Sequence, residues 1–181
     1  MAGAVALTGT PGTGKTAVSA RLSSQLRVIE VGELALALGA GRRVRGGVEV
    51  DVRRLGRLVG DRGALEGVDL VVGHLAHLLP VRDVVVLRCH PVELERRWER
   101  AGRAGAPDRR ANFVVEATDA VLIEAVRPGR RVWEVDTTGR SVAAVAREVA
   151  RRLRERGRSA FGAVDWLADR RVTAHLLDRP H

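Results

Sequence analysis

The sequence predicts a three-layer α/β fold built on a five-stranded parallel sheet, and three observations carry that expectation. Short apolar runs at residues 4–8, 27–31, 68–72, 83–87 and 132–135 recur along the chain. The runs at 68–72 and 83–87 are continuous in Val and Leu rather than alternating, as strands covered on both faces require. Stretches of helical length separate the runs, the order that puts helices on both sides of a parallel sheet.

The elements follow in chain order. Residues 4–8 form the first strand and 15–26 the helix after it. Residues 27–31 form the second strand, and the two Val/Leu runs the third and fourth. Between the fourth and fifth strands lie helical stretches at 91–100 and 110–126. After the last strand Val142, Val145, Ala146, Val149 and Leu153 recur at helical spacing within 140–156. Two segments interrupt this rhythm, 32–59 and the Gly/Ala/Pro-rich 102–108, and long excursions in a compact domain serve as lids or binding loops. The domain is expected to span 1–156. A tail at 157–181 holds a short amphipathic helix near 164–177 that packs on the domain or reaches a partner.

The chain has 181 residues, with 31 Lys+Arg against 22 Asp+Glu and a net charge of +9. Every one of those cations is arginine except Lys15, and tyrosine is absent. A bias this uniform reads as compositional drift, so the charge is not taken as a sign of nucleic-acid binding. The length suits one domain that buries roughly two thirds of its unfolded surface. No apolar run reaches the length of a membrane span, and no basic segment precedes the apolar start, as a secretory signal requires. One cysteine, Cys89, excludes an internal disulfide framework and a cysteine-based zinc cluster. The expected compartment is the cytoplasm.

Gly9-Thr10-Pro11-Gly12-Thr13-Gly14-Lys15-Thr16 matches G-x-x-x-x-G-K-[ST] at every fixed position, between an apolar strand and a helix. The glycines let successive backbone N–H groups point inward around a phosphate, and the helix presents its positive N-terminus to the same anion. Lys15 reaches the β- and γ-phosphates and the Thr16 hydroxyl coordinates magnesium. Guanine recognition through Asn-Lys-x-Asp needs a second lysine, which the chain lacks, so ATP with Mg2+ is the expected ligand.

Further motifs extend the series: Gly-His-Leu-Ala-His-Leu-Leu-Pro at 73–80, Leu-Arg-Cys-His-Pro at 87–91, Asn112, Glu116-Ala117, the run at 119–125, and Val-Asp-Thr-Thr-Gly at 135–139. In this order the chain resembles the adenylate-kinase-like NTPases of archaea and the eukaryotic nucleus, the isoenzyme-six type, over residues 3–150. The resemblance implies a nucleoside monophosphate kinase fold with a nucleotide-acceptor insertion near 31–52 and a lid near 100–111. It implies phosphoryl transfer from ATP to AMP, ATPase activity, and a role in maturing the small ribosomal subunit, with a ribosomal protein or rRNA as partner. Gly12, Thr13, Gly14, Lys15, Thr16 and Ala17 would bind ATP. Two positions depart from the family pattern. An acidic residue that helps hold the magnesium shell is replaced by Val72, and Asp69 lies on the opposite face of the same strand. At the lid, Ala101-Gly102-Arg103 stands where relatives read Arg-Gly-Tyr, so the catalytic guanidinium comes from Arg100 or Arg103.

Other residues carry weaker expectations. Arg42, Arg43 and Arg45 in the first insertion are placed to clamp an acceptor phosphate, with Glu33 and Asp51 toward its nucleoside. His74, at the carboxyl end of the third strand, is placed for nucleotide or water positioning; His77 reads as structural, and Cys89 as a small core residue. Arginine clusters at 96–97, 109–110, 127–131 and 151–158 are either solvated helix faces or phosphate contacts to RNA. A kinase for shikimate or a sugar acid is the alternative on the same fold, as is an ATP-binding assembly switch with little turnover.

Overall fold

The computed structural model describes residues 3–102 and 108–177. Five strands form one parallel sheet in the order β2-β5-β1-β6-β7. These are β1 (Val5–Thr8), β2 (Val28–Glu30), β5 (Leu70–Val72), β6 (Asp83–Arg88) and β7 (Arg131–Asp136). The central strand β1 has β5 on one side and β6 on the other, with Leu7 opposite both Val72 and Val85. The five strands that the apolar runs predict are all present.

The sheet is covered on both faces, which is why its strands carry no polar alternation. On one face Val5, Leu7, Leu70, Val72, Val85 and Leu87 pack against Val18 and Leu22 of α1 (Lys15–Leu22) and Val145 and Val149 of α7 (Val142–Glu155). On the other face Ala6, Val71, Val84 and Val86 pack against Leu55 and Val59 of α3 (Val52–Arg62) and against Leu122 and Ala125 of α6 (Ala120–Ala125).

The first insertion holds α2 (Val31–Ala37), a hairpin of β3 (Gly41–Val44) and β4 (Gly47–Val50), and α3. Arg45 and Gly46 form its two-residue turn, with Gly46 at φ 91°. A Cβ on Gly41 would stand 3.0 Å from the Ala35 Cβ, so the hairpin lies tightly on α2.

Two helices differ from expectation. α1 stops at Leu22 rather than 26, where the Ser23 hydroxyl turns back to the Ala20 carbonyl at 2.8 Å and a turn replaces the helix. The stretch at 110–126 is two helices, α5 (Arg109–Ala117) and α6, broken at Asp119 with φ 58°. Aspartate tolerates this left-handed conformation better than most side chains. The break turns the Asp119 carboxylate onto Arg88.

β6 leads into α4 (Pro91–Arg100), which has proline in its first turn. Beyond α7, Ala160 bridges to the edge of β7, with its N–H on the Val132 carbonyl and its carbonyl accepting from Glu134 N. A 3-10 turn at Trp166–Ala168 and α8 (Arg170–Leu177) follow. In place of one helix over 164–177 the tail forms this turn and α8, and Trp166 and Val172 join Phe113 and Ala117 of α5 in one apolar cluster.

Candidate active site

The loop from Gly9 to Lys15 connects β1 to α1 at the carboxyl edge of the sheet, where open α/β sheets bind their ligands. Gly9 and Gly12 have φ of 137° and 94°. A Cβ on Gly9 would stand 2.3 Å from the Leu87 carbonyl oxygen, and one on Gly12 would stand 2.4 Å from Trp98 Nε1. Both positions therefore exclude a side chain. The Trp98 indole N–H donates to the Pro11 carbonyl at 3.0 Å and fixes the outer rim of the loop.

Lys15 is half-buried, and its ammonium donates to the carbonyls of Gly9 at 2.7 Å and Thr10 at 3.0 Å. Burial pushes it down to about 8, against the opposing pull of Glu116 and Glu30. An ammonium held by two carbonyls and partly stripped of water is ready to exchange those partners for phosphate oxygens. Thr16 is exposed, and among the described residues its hydroxyl has no hydrogen-bond partner. The donor set thus fits a phosphate chain with its magnesium ion: a cation for the phosphates and an open hydroxyl for the metal.

Two cavities flank the loop. One, of about 480 Å3, lies between Gly12–Gly14 and the residues Arg97, Arg100, Thr137, Gly139 and Arg140. The other, of about 800 Å3, is bounded by Gly9–Pro11, His74, Trp98, Asn112, Val121 and the hairpin tip at Gly46. Pro11 and Trp98 line the larger cavity, and Gly12 to Gly14 the smaller. A third cavity, of about 520 Å3, opens at the far end of the sheet beside Asp83, remote from the loop.

Beneath the loop lies a charged cluster that brings together Arg88, Glu116 and Asp119, residues of three separate sequence motifs whose pairing the spacing alone does not show. Glu116 is 2% exposed and accepts from the Thr10 hydroxyl, Arg88 Nε at 2.9 Å, Cys89 N at 3.0 Å and Trp166 Nε1 at 3.2 Å. Arg88, 1% exposed, also donates to Glu134 at 2.6 Å and to Asp119. One glutamate thereby ties the phosphate loop to β6, to α5 and to the tail.

Lys15 and Thr16 open α1 directly after the loop, and Thr13, which is fully buried, donates to the Thr10 carbonyl at 2.9 Å. Ala17 lies exposed in the first turn of α1. Arg100 lines the smaller cavity and pairs with Glu93 at 2.6 Å; Arg103 lies outside the described residues. Arg42 is spent on a cross-strand ion pair with Glu49, and Arg43 is exposed on the same hairpin; neither lines the two cavities beside the loop, although the adjoining turn at Gly46 lines the larger one. His74 lines the larger cavity, and burial, then the Lys15 ammonium, hold its imidazole below the ordinary range. His77 is buried and structural: Nε2 bonds Glu124 at 3.0 Å, which leaves Nδ1 to accept from the Thr8 hydroxyl at 2.9 Å. Cys89 is fully buried and pushed up to about 11, chiefly by burial. Val72 is fully buried, and Asp69 caps Arg27 N at 2.9 Å at the amino end of its strand.

Several predicted arginine clusters are internal struts. Arg97 binds the Thr137 carbonyl at 2.7 Å, Arg130 the carbonyls of His77 and Leu79, and Arg131 and Arg156 the buried Asp83 carboxylate. On α4 the pairing runs from Glu93 to Arg96, Arg97 and Arg100, while Glu95 and Glu99 take Arg109.

The fold and the loop define a phosphate-loop nucleotide-binding protein of the kinase type. The family described as AAA domain matches residues 5–119. The chain is 39% identical over 165 residues to the protein named "Putative adenylate kinase" of Thermococcus onnurineus, covering 90% of each chain. It is 42% identical over 150 residues to the protein of the same name from Methanothermobacter thermautotrophicus, covering 78% of this chain and 84% of that one. Among solved structures it resembles shikimate kinase from Acinetobacter baumannii, with TM-score 0.58 at 15% identity over 86% of this chain and 95% of that one. The chain belongs to the adenylate-kinase family that its archaeal relatives form.

Proposed function

We propose that the protein transfers the γ-phosphoryl group of ATP to a nucleoside monophosphate, with AMP as the acceptor. The observation that carries this reading is the pair of cavities on opposite sides of one phosphate loop. In it the donor nucleotide enters the smaller cavity, its phosphates on the loop and its base between Arg97 and the turn at Gly139 and Arg140. The acceptor enters the larger cavity and brings its phosphate to the same loop from the other side, beside His74 and Asn112. The names of the archaeal relatives support the same chemistry.

The roles of the chain's own residues follow. Loop N–H groups and the Lys15 ammonium hold the β- and γ-phosphates, and Thr16 holds the magnesium ion. When bound, that ion neutralises charge on the phosphate oxygens. Arg100 lies at the rim of the donor cavity, and with Arg103 it is assigned to the developing charge on the transferred group. No general base is needed, because a phosphate monoester oxygen is already anionic near neutrality, with a second pKa of about 6. That agrees with His74, whose imidazole is made a weaker base by burial and the Lys15 ammonium. Catalysis then rests on alignment and electrostatics, and water entering an empty acceptor cavity gives the slower ATPase activity.

Two adenosines joined by five phosphates should occupy both cavities at once. One molecule is expected per chain, displacing both ATP and AMP in a competition titration. Displacement of ATP alone would show that the larger cavity does not take the acceptor nucleotide.

ATP affinity is also expected to depend on pH. Bound phosphates favour the Lys15 ammonium, whereas in the free protein it titrates near 8. Binding above that pH therefore requires proton uptake, and affinity should fall by up to about tenfold per pH unit. Calorimetry in two buffers of different ionisation enthalpy between pH 7 and 9.5 measures both the fall and the proton.

A further inference from the structure

We infer that Glu30, at the carboxyl end of β2, supplies the carboxylate that holds the hydrated magnesium ion of bound ATP. Phosphate-loop proteins hold that ion with the loop Ser/Thr and an acidic residue from a neighbouring strand. Here the strand next to β1 on that side ends in Val72, which is fully buried and carries no charge. Glu30 pairs in register with Val72 on the next strand outward. Val28, two residues before it, packs against the apolar cluster that contains Leu7, Val18 and Val72, so Glu30 lies on the sheet face covered by α1. The first residues of α1 are Lys15 and Thr16, at the same edge of the sheet.

Adjacent strands lie about 4.8 Å apart. A carboxylate at position 30 therefore stands one strand further from the loop than one at position 72 would. The length of glutamate recovers part of that distance, and water covers the remainder. Magnesium suits this arrangement, because it keeps several of its waters and is bound through one or two carboxylates.

The remaining observations agree. Glu30 is half-buried, and among the described residues no donor or cation bonds its carboxylate. It does not cap α2, although it is the residue before that helix. Burial and the nearby Glu33 push its carboxyl up while the Lys15 ammonium pulls it down, so it lies within electrostatic reach of the loop. Glu33 apart, which the test below addresses, the acids near the loop are spent: Glu116 on four donors, Asp119 on Arg88, and Asp136 on Thr138.

The inference rests on the loop binding ATP, and the test separates the two. ATP is titrated by calorimetry with and without Mg2+ into the wild type, Glu30→Gln and Glu33→Gln. In the wild type Mg2+ is expected to tighten binding. Glu30→Gln should lose about tenfold of that gain while binding metal-free ATP at least as well as the wild type, and Glu33→Gln should keep the gain. An undiminished gain in Glu30→Gln, or its loss in Glu33→Gln alone, would overturn the assignment. Absence of ATP binding by the wild type under either condition would instead overturn the reading of the loop itself.

Discussion

Replacing Lys15 with methionine is expected to lower phosphoryl transfer by about a thousandfold or more while leaving the fold intact. Single preorganised groups aimed at developing charge contribute about 10²–10³ in rate, and a charged phosphate clamp contributes 10³–10⁵. Lys15 is the cation of the loop itself, its ammonium bonded to the carbonyls of Gly9 and Thr10. Methionine keeps an unbranched apolar stem but offers neither charge nor donor. Lys15→Arg should fail almost as badly, because a planar guanidinium fork does not fill the place of a compact ammonium inside a loop this tight. In a chain that uses arginine for every other cation, this is the one position where lysine is kept. Initial rates with labelled ATP, alongside a thermal melt of each variant, separate lost catalysis from lost structure.

Arg88→Met is expected to cost about 3–5 kcal/mol of stability, the usual penalty for removing one partner of a buried ion pair. For a domain of this size that lowers the melting temperature by on the order of 10 °C. The guanidinium bonds the Glu116 and Glu134 carboxylates, whose side chains are only 1% and 3% exposed, as well as the Glu116 carbonyl and Asp119. Without it two buried carboxylates lose their counterion. Thermal melts of the wild type and the variant measure the cost, and an unchanged melting temperature would show that the cluster does not hold the fold together. The same substitution frees Glu116 from its anchor, and Glu116 is the acceptor for the Thr10 hydroxyl. ATP affinity is therefore expected to weaken even at temperatures where the variant is folded.

The legible part of this molecule is the part written in local pattern. The phosphate loop is legible because its glycines and lysine are dictated by phosphate geometry, and the strands because a doubly covered sheet requires unbroken Val and Leu. The break at Asp119 escapes periodicity, since Leu122 and Ala125 continue an apolar spacing that suits one helix or two. What breaks the helix is the attraction of its carboxylate to Arg88, 31 residues earlier in the chain. Glu116 is marked by its motif, but its role escapes for the same reason: only the tertiary fold brings that acid under the loop. Arg88 itself held a signal, a cation at the end of a buried valine strand, but its partners come from three different segments. The hairpin at the first insertion is masked by polar residues at Gly41–Val44, where no alternation announces a strand. Composition misleads in one direction: the arginines read as drift include Arg88, Arg97, Arg130, Arg131 and Arg156, which bond buried or half-buried oxygens inside the fold.

On the proposed function one phosphate loop serves two nucleotides. Its measurement follows γ-labelled ATP in the presence of Mg2+ with AMP, then with shikimate and sugar acceptors in its place. Label is expected in ADP formed from AMP, with two ADP produced for each ATP consumed and only slow release of inorganic phosphate when AMP is omitted. Label passing to a non-nucleotide acceptor, or only to water whether or not AMP is present, would show that the loop does not serve a nucleoside monophosphate.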